Sequence, residues 1–413
     1  MRLLTAALLG GLLIAQPARA GKILYVTAAR QQRIDGFCIR GQGNLDADPS
    51  RQEATAGDDP RRLFVTTSAS GAPVLYVAEA DRVEAFAIQD NGQLIKIGAV
   101  ERKKMNSVSI EISPNKQILY IDEVNDGRII AQPLDAHGAP TGDFTSCVQL
   151  PINSGRHNLL VRGVLLYVAS FAQVSIFGID VGGNLFGVDA DGIPVAGSPS
   201  LCVPPEPNQD RYNTTPISIR KGFNGTRNLV IAPNTAATDT VPAGADILYV
   251  DSFGYKRIVA FALKDGLFDP PNPTTTVNKK NKQVTKQQPF FSRTAEIRQY
   301  QEVLLAQIEG NLSLIGTNFF RGRVDSFSVK ADGTLPKQPT QTSEENLRAT
   351  NVFGAVDNEN KVVYAAAPGL DRVQAFRLND RGLVGQLPFS ETSPIAASFS
   401  NAVAIALVPG ACN

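Results

Sequence analysis

The chain has no tryptophan, and only two histidines and two methionines among its 413 residues. Without tryptophan, the strongest aromatic platform for stacking a sugar ring is missing. His137, His157 and four cysteines make no convincing set of transition-metal ligands, so no metal site is expected. An excess of one charge is lacking too. The 40 basic residues face 39 acidic ones, which leaves no electrostatic footprint for nucleic acid or an anionic membrane. No phosphate-cradling glycine loop opens a helix, and no cofactor is expected. Asp189-Ala190-Asp191-Gly192 begins like a calcium loop but lacks the later ligands, so it reads as a turn, as does His137-Gly138-Ala139-Pro140. Beyond residue 20, no apolar run reaches the roughly 20 residues that cross a bilayer.

The first twenty residues read as a secretory leader: Arg2 at the positive end, an apolar run from Leu3 to Ala15, and Ala18-Arg19-Ala20 as the cleavage site. No cysteine follows that site, so a lipid anchor is not expected. The mature chain should begin near Gly21 as a soluble monomer in the periplasm or beyond the cell. An oxidising compartment makes Cys38, Cys147, Cys202 and Cys412 candidates for disulfides, with three connectivities open.

What the chain does contain is one short pattern, seven times over. A hydrophobic triplet, usually with a central tyrosine, precedes a short polar loop and a strand that most often begins with arginine. The first members are Leu24-Tyr25-Val26, Leu75-Tyr76-Val77, Leu119-Tyr120-Ile121 and Leu166-Tyr167-Val168. Leu248-Tyr249-Val250, Leu314-Ile315-Gly316 and Val363-Tyr364-Ala365 complete the set. The partner strands begin at Arg33, Arg82, Arg128, Val174, Arg257, Arg323 and Arg372, and glycine turns such as Asp90-Asn91-Gly92 and Ala331-Asp332-Gly333 follow most of them. Period-2 strands and glycine turns recurring in this way predict an all-β, seven-bladed β-propeller.

The triplet and its partner fit the second and third strands of a blade. Segments 62–66, 107–112, 158–161, 216–219, 303–307 and 351–355 then read as innermost strands. The first triplet has no such segment before it, whereas 401–407 has inner-strand character and no triplet after it. Pairing that C-terminal strand with the N-terminal blade would close the ring and remove its free edges. Closure puts Cys38 and Cys412 on one rim and predicts a disulfide between them, leaving Cys147 for Cys202 by elimination. Residues 21–413 form a single propeller on this reading, with the leader at 1–20. Removing the leader leaves 393 of the 413 residues, 56 per blade, against the roughly 40–50 usual for such repeats. The excess falls near 186–215, 221–246 and 269–295, which read as surface insertions, the last carrying a solvated lysine cluster at Lys279, Lys280 and Lys282.

The Leu-Tyr-Val triplet, the strand ending in Phe-x-Ile and the acid/Asn-Gly turn resemble the YVTN-type repeat of the seven-bladed lactonase-like propellers. That superfamily includes propeller-type 6-phosphogluconolactonases and muconate-cyclising enzymes. The resemblance covers nearly all of the mature chain and implies a metal-independent site of His, Arg and acidic side chains near the central mouth. The starts of inner strands supply Arg61, Arg62, Asn106, Arg156, His157, Asn158, Glu302, Asn351 and Asn401, and the loops supply Arg30, Glu79, Asp81, Glu123, Asp126, Tyr255, Arg321 and Asp371. Arg61, Arg62, Asn106, Asn158, Asn351 and Asn401 are ligand-binding candidates, although asparagines at a repeated place also serve as turn caps. His157 could take a proton from water, Arg156 could stabilise the oxyanion of an opened lactone, and Glu79 or Glu123 could orient the pair. The repeated arginines read as structural. Absence of tryptophan argues against quinoprotein propellers. Two functions follow: an exported scaffold presenting its loop face and channel mouth to a protein or small molecule, or a metal-independent lactone hydrolase. Phosphogluconolactone, a cytosolic metabolite, does not suit an exported chain.

Overall fold

In the computed structural model the described residues form an all-β fold with almost no helix, arranged as seven blades. The structure describes residues 21–412 except 29–31, 56–59, 102–108, 151–157, 189–193, 197–215, 222, 224, 238–242, 269–273, 278–282, 287–291, 295–299, 319–320, 345–352, 368–370, 393–402 and 408–411. The second strands are Lys22–Ala28, Pro73–Ala78, Ile118–Glu123, Leu165–Ser170, Asp246–Ser252, Asn311–Asn318 and Val362–Ala367, in blades 1 to 7. Each pairs antiparallel with the third strand of its blade, placing Tyr25 opposite Gly36, Tyr76 opposite Ala85 and Tyr120 opposite Ala131.

Both faces of a blade are covered by its neighbours, so these strands are buried throughout instead of alternating between core and water. All seven residues of Lys22–Ala28 are buried. The two faces feed different clusters. Leu24 and Val26 pack with Val362 and Tyr364 of blade 7, while Tyr25 packs with Leu75, Val77 and Phe86 of blade 2. Among the described residues there are seven such apolar clusters, one for each junction between blades.

The tyrosine does more than fill space. Its hydroxyl donates to the carbonyl of a turn glycine in the following blade: Tyr25 to Gly92, Tyr76 to Gly138, Tyr120 to Gly183, Tyr167 to Gly266, Tyr249 to Gly333 and Tyr364 to Gly43, over 2.6–3.0 Å. Burial pushes all six phenols above their ordinary pKa, so they remain donors at any physiological pH. A second bond runs across the same junctions, from a backbone N–H after the turn to an outer-strand serine of the preceding blade. Leu185 donates to Ser146, Phe268 to Ser218, Leu335 to Ser292 and Leu45 to Ser390.

That serine pattern explains a correction. Residues 216–219 are not the inner strand of blade 5. Ser218–Lys221 pairs with the third strand of blade 4, Gln173–Ile179, and Ser218 occupies the outer-strand serine position. The inner strand of blade 5 is Thr226–Pro233, which lies within the segment read as the 221–246 insertion. Inner and outer strands share a period-2 pattern, and only the pairing in the folded ring tells them apart. In the 269–295 segment, Thr274–Val277 pairs with Gln283–Lys286 as a separate two-stranded sheet.

Val403–Leu407 runs antiparallel to Lys22–Ala28 with Ala404 opposite Tyr25, and its backbone also approaches the inner strands of blades 7 and 2. Cys38 and Cys412 are disulfide-bonded. Cys147 is also disulfide-bonded, and Cys202 lies outside the described residues. No described helix is long and apolar enough to cross a membrane.

The junction bonds generate a stability test. Tyr120→Phe leaves the Gly183 carbonyl unpaired in a buried setting and should cost about 1–3 kcal/mol. Gly183→Ala should cost more, because its φ is +86° and a Cβ there would come within 2.6 Å of Ile118. Gly71→Ala, with the same φ and open space around it, should cost only about 1 kcal/mol. Denaturant unfolding of the three variants checks this ranking.

Candidate functional site

Inner strands begin where second strands end, with Arg62 opposite Ala78, Asn158 opposite Ala169 and Gly354 opposite Ala365. The starts of the inner strands and the loops between second and third strands therefore share one face, and the channel opens in its middle.

Among the described residues, five arginines of this face are paired within their own blades. The recurring arginine pairs with acids of its own blade: Arg33 with Asp35 at 2.9 Å, Arg323 with Asp325 at 2.8 Å and Arg372 with Glu391 at 2.7 Å. Arg82 lies 3.2 Å from Asp81, 3.0 Å from Glu101 and 3.9 Å from Glu79, and Arg128 pairs with Glu123 and Asp126. Glu79 and Glu123 are thus closed off from solvent behind these arginines. Burial, reinforced by the neighbouring Glu84 carboxylate, raises the Glu79 pKa from 4.5 to about 8.

One pair is different. Arg62 of blade 2 donates from Nη1 to Oε1 of Glu302 in blade 6, 2.8 Å away and 240 residues distant in sequence. The second Glu302 oxygen accepts the backbone N–H of Gly354, in blade 7, at 2.9 Å. Glu302 is buried, whereas Arg62 keeps about a quarter of its side chain exposed, at 27%. Glu111, the middle residue of the blade 3 inner strand Ile110–Ile112, feels the Arg62 charge. Burial raises its pKa from 4.5 to about 8, with Arg62 and Lys116 opposing the shift. Lys116 itself donates to the Thr66 hydroxyl of blade 2 at 3.1 Å.

Of the sequence candidates, the structure joins Arg62 and Glu302. Asn158 begins its inner strand partly exposed, Arg61 donates its backbone N–H to Ala78, and Tyr255 is exposed on its loop. Arg156, His157, Asn106, Asn351, Asn401 and Arg30 lie outside the described residues. Sequence reading missed Glu111, although a lone acid at the centre of the apolar run Ile110-Glu111-Ile112 was a visible signal. Among the described residues no group of three or more His, Cys, Asp or Glu side chains could hold a metal ion.

Several solved structures with this architecture are described as lactonases. The periplasmic gluconolactonase of Pseudomonas aeruginosa superposes with a TM-score of 0.63 at 15% identity, over 94% of this chain and 100% of that one. A Bacteroides fragilis protein described as a candidate 6-phosphogluconolactonase gives 0.63 at 16% identity, over 95% and 100%. A Lactobacillus plantarum protein gives 0.62 at 14% identity, over 94% and 99%. At these identities the likeness shows the fold alone, a seven-bladed β-propeller. No family model and no curated protein matches the sequence.

Glu79 supplies a pH test. Its folded pKa, about 8, lies above its ordinary 4.5, so its stabilising contribution is complete below pH 4.5 and is lost as pH rises to about 8. The melting temperature should therefore fall between pH 5 and 8.5, and Glu79→Gln should flatten that fall. Thermal melts across the range read the difference.

Proposed function

We propose that the protein is an exported propeller that binds an oxygen-rich small molecule at the channel mouth. The observation that carries this reading is Arg62, held across the mouth by Glu302 while part of its side chain remains open to solvent. A guanidinium fixed on one side by a carboxylate keeps further N–H donors for a carboxylate or carbonyl oxygen of a ligand. Export is supported by the leader-like first twenty residues and by the Cys38–Cys412 disulfide, which suits an oxidising compartment.

Glu111 favours a second reading, metal-independent lactone hydrolysis. A carboxyl with a pKa of about 8 is mostly protonated at neutral pH and can act as a general acid. Water would add to the lactone carbonyl carbon while Arg62 N–H groups stabilise the charge gathering on the carbonyl oxygen. The ring C–O bond would then break as Glu111 gives its proton to the departing ring oxygen. The attacking water would return a proton to Glu111, and ionisation of the product acid would release one proton to solvent. The gluconolactonase named among the structural neighbours makes sugar lactones the first substrates to try.

Proton release from a lactone panel tests both readings. For a hydrolase, turnover should fall as pH rises through about 8, and Glu111→Gln and Arg62→Gln should each lower kcat/KM at least 100-fold, with His157→Ala alongside. No turnover, with gluconate binding that Arg62→Gln abolishes, would leave the binding reading alone. Neither turnover nor binding would remove the mouth as the site.

A further inference from the structure

Blade 6 departs from the repeat at three residues, Ile315, Tyr300 and Gly316, and carries a register slip immediately before Glu302. Ile315 replaces the triplet tyrosine, so this blade cannot make the phenol-to-glycine bond to the next. The junction with blade 7 is held instead by Ser313, which donates to the Arg381 carbonyl at 2.7 Å, and by Asn311, which donates to Asp380 at 3.0 Å. A tyrosine reappears on the inner strand, as Tyr300. Its ring lies over Gly316, where other blades carry Val, Ile or Ala and where any Cβ would come within 2.6 Å of the ring. Its hydroxyl donates to Oδ2 of Asp325 at 3.0 Å, and the other oxygen of Asp325 lies 2.8 Å from Nε of Arg323. The inner strand slips register between Tyr300, opposite Asn318, and Glu302, opposite Thr317, a slip that the inner strand of blade 5 shares between Thr226 and Leu229 but without a tyrosine to anchor it.

A one-residue slip of this kind turns the following side chain to a new direction. Here the residue that follows is Glu302, whose backbone N–H is tied to the Thr317 hydroxyl at 3.2 Å. Its carboxylate then spans Arg62 at 2.8 Å and the Gly354 N–H at 2.9 Å. Without the slip the alternation of the strand would carry the carboxylate to the opposite face of the blade. Tyr300, buried and seated edge-on to Phe327 with ring centroids 6.0 Å apart, is the anchor on the near side of that slip.

We infer that Tyr300, with Asp325 and Arg323 behind it, is a positioning device: it holds the slipped register that aims Glu302, and through Glu302 it fixes the Arg62 guanidinium toward a ligand carboxylate or carbonyl. The pairing of Arg62 with the ligand rests on the proposed function. The pairing of Tyr300 with Arg62 does not. Tyr300 touches no ligand, and its effect passes entirely through the register of one strand.

The test is side-chain 15N NMR of arginine in the purified protein, with the Arg62 guanidinium signal assigned by its loss in Arg62→Lys. Glu302→Gln should shift that signal and speed its exchange with water. Tyr300→Phe, which keeps the ring and removes one hydrogen bond, should move it the same way and weaken gluconate binding about fivefold, the worth of roughly 1 kcal/mol. Ser313→Ala, which breaks a bond of the same junction outside the device, should leave both unchanged. An Arg62 signal indifferent to Tyr300→Phe, or equally disturbed by Ser313→Ala, overturns the inference. If Tyr300→Phe does not fold, Asp325→Asn removes the charge on the acceptor and is read in the same way. If gluconate does not bind the wild type, the ligand reading fails, while the Arg62 signal still decides the positioning role.

Discussion

A phenol hydroxyl meeting the carbonyl of the next blade's turn glycine is the contact on which the ring depends. It appears at six junctions, always from the middle of the second strand and always to a glycine of positive φ. Each bond adds only about 1 kcal/mol net, but each is buried, so losing one strands a polar atom without water. The same geometry explains the small residues opposite several of the tyrosines, Gly36, Ala85, Ala131, Ala260 and Ala375, which leave room for the ring on the blade face. The last of these bonds, from Tyr364 to Gly43, joins the end of the chain's repeats to their beginning. The C-terminal strand beside Lys22–Ala28 and the Cys38–Cys412 bridge lie at that same blade.

A ring held this uniformly makes departures from the repeat informative. Five of the recurring arginines, Arg33, Arg82, Arg128, Arg323 and Arg372, pair with acids inside their own blades, and with them Glu79, Glu123, Asp35 and Asp325 are spent on structure. Among the described residues, Arg62, Glu302 and Glu111 stand apart from these pairs within a blade. Blade 6 gives up its phenol-to-glycine bond and acquires Tyr300 and Gly316 beside a register slip, and the Glu302 carboxylate that follows reaches across the axis to blade 2. The rigidity of six ordinary junctions is what lets one unusual blade aim a side chain.

The blade count and the second and third strands were legible in the sequence because they answer to a local rule. A period-2 strand packed on both faces needs apolar residues at nearly every position, and a turn at positive φ needs glycine, whatever lies elsewhere in the chain. The identity of Ser218–Lys221 was not legible, because an outer strand of blade 4 and an inner strand of blade 5 obey the same pattern. Ser218 is placed by its pairing with the third strand of blade 4 and by accepting the Phe268 N–H from the neighbouring blade. Glu79 and Glu123 sat at loop positions that promise exposure, yet the arginines of their own blades close over them.

By itself, then, the sequence determined the repeat, the all-β class and the short list of polar residues at the starts of inner strands. Tertiary structure alone decided which of those residues meet. Arg62 and Glu302 are 240 residues apart and come together only because a closed ring folds blades 2 and 6 around one axis. The upward shift of the Glu111 carboxyl is of the same kind: its side chain is ordinary, and the shift comes from the desolvation that its neighbours impose.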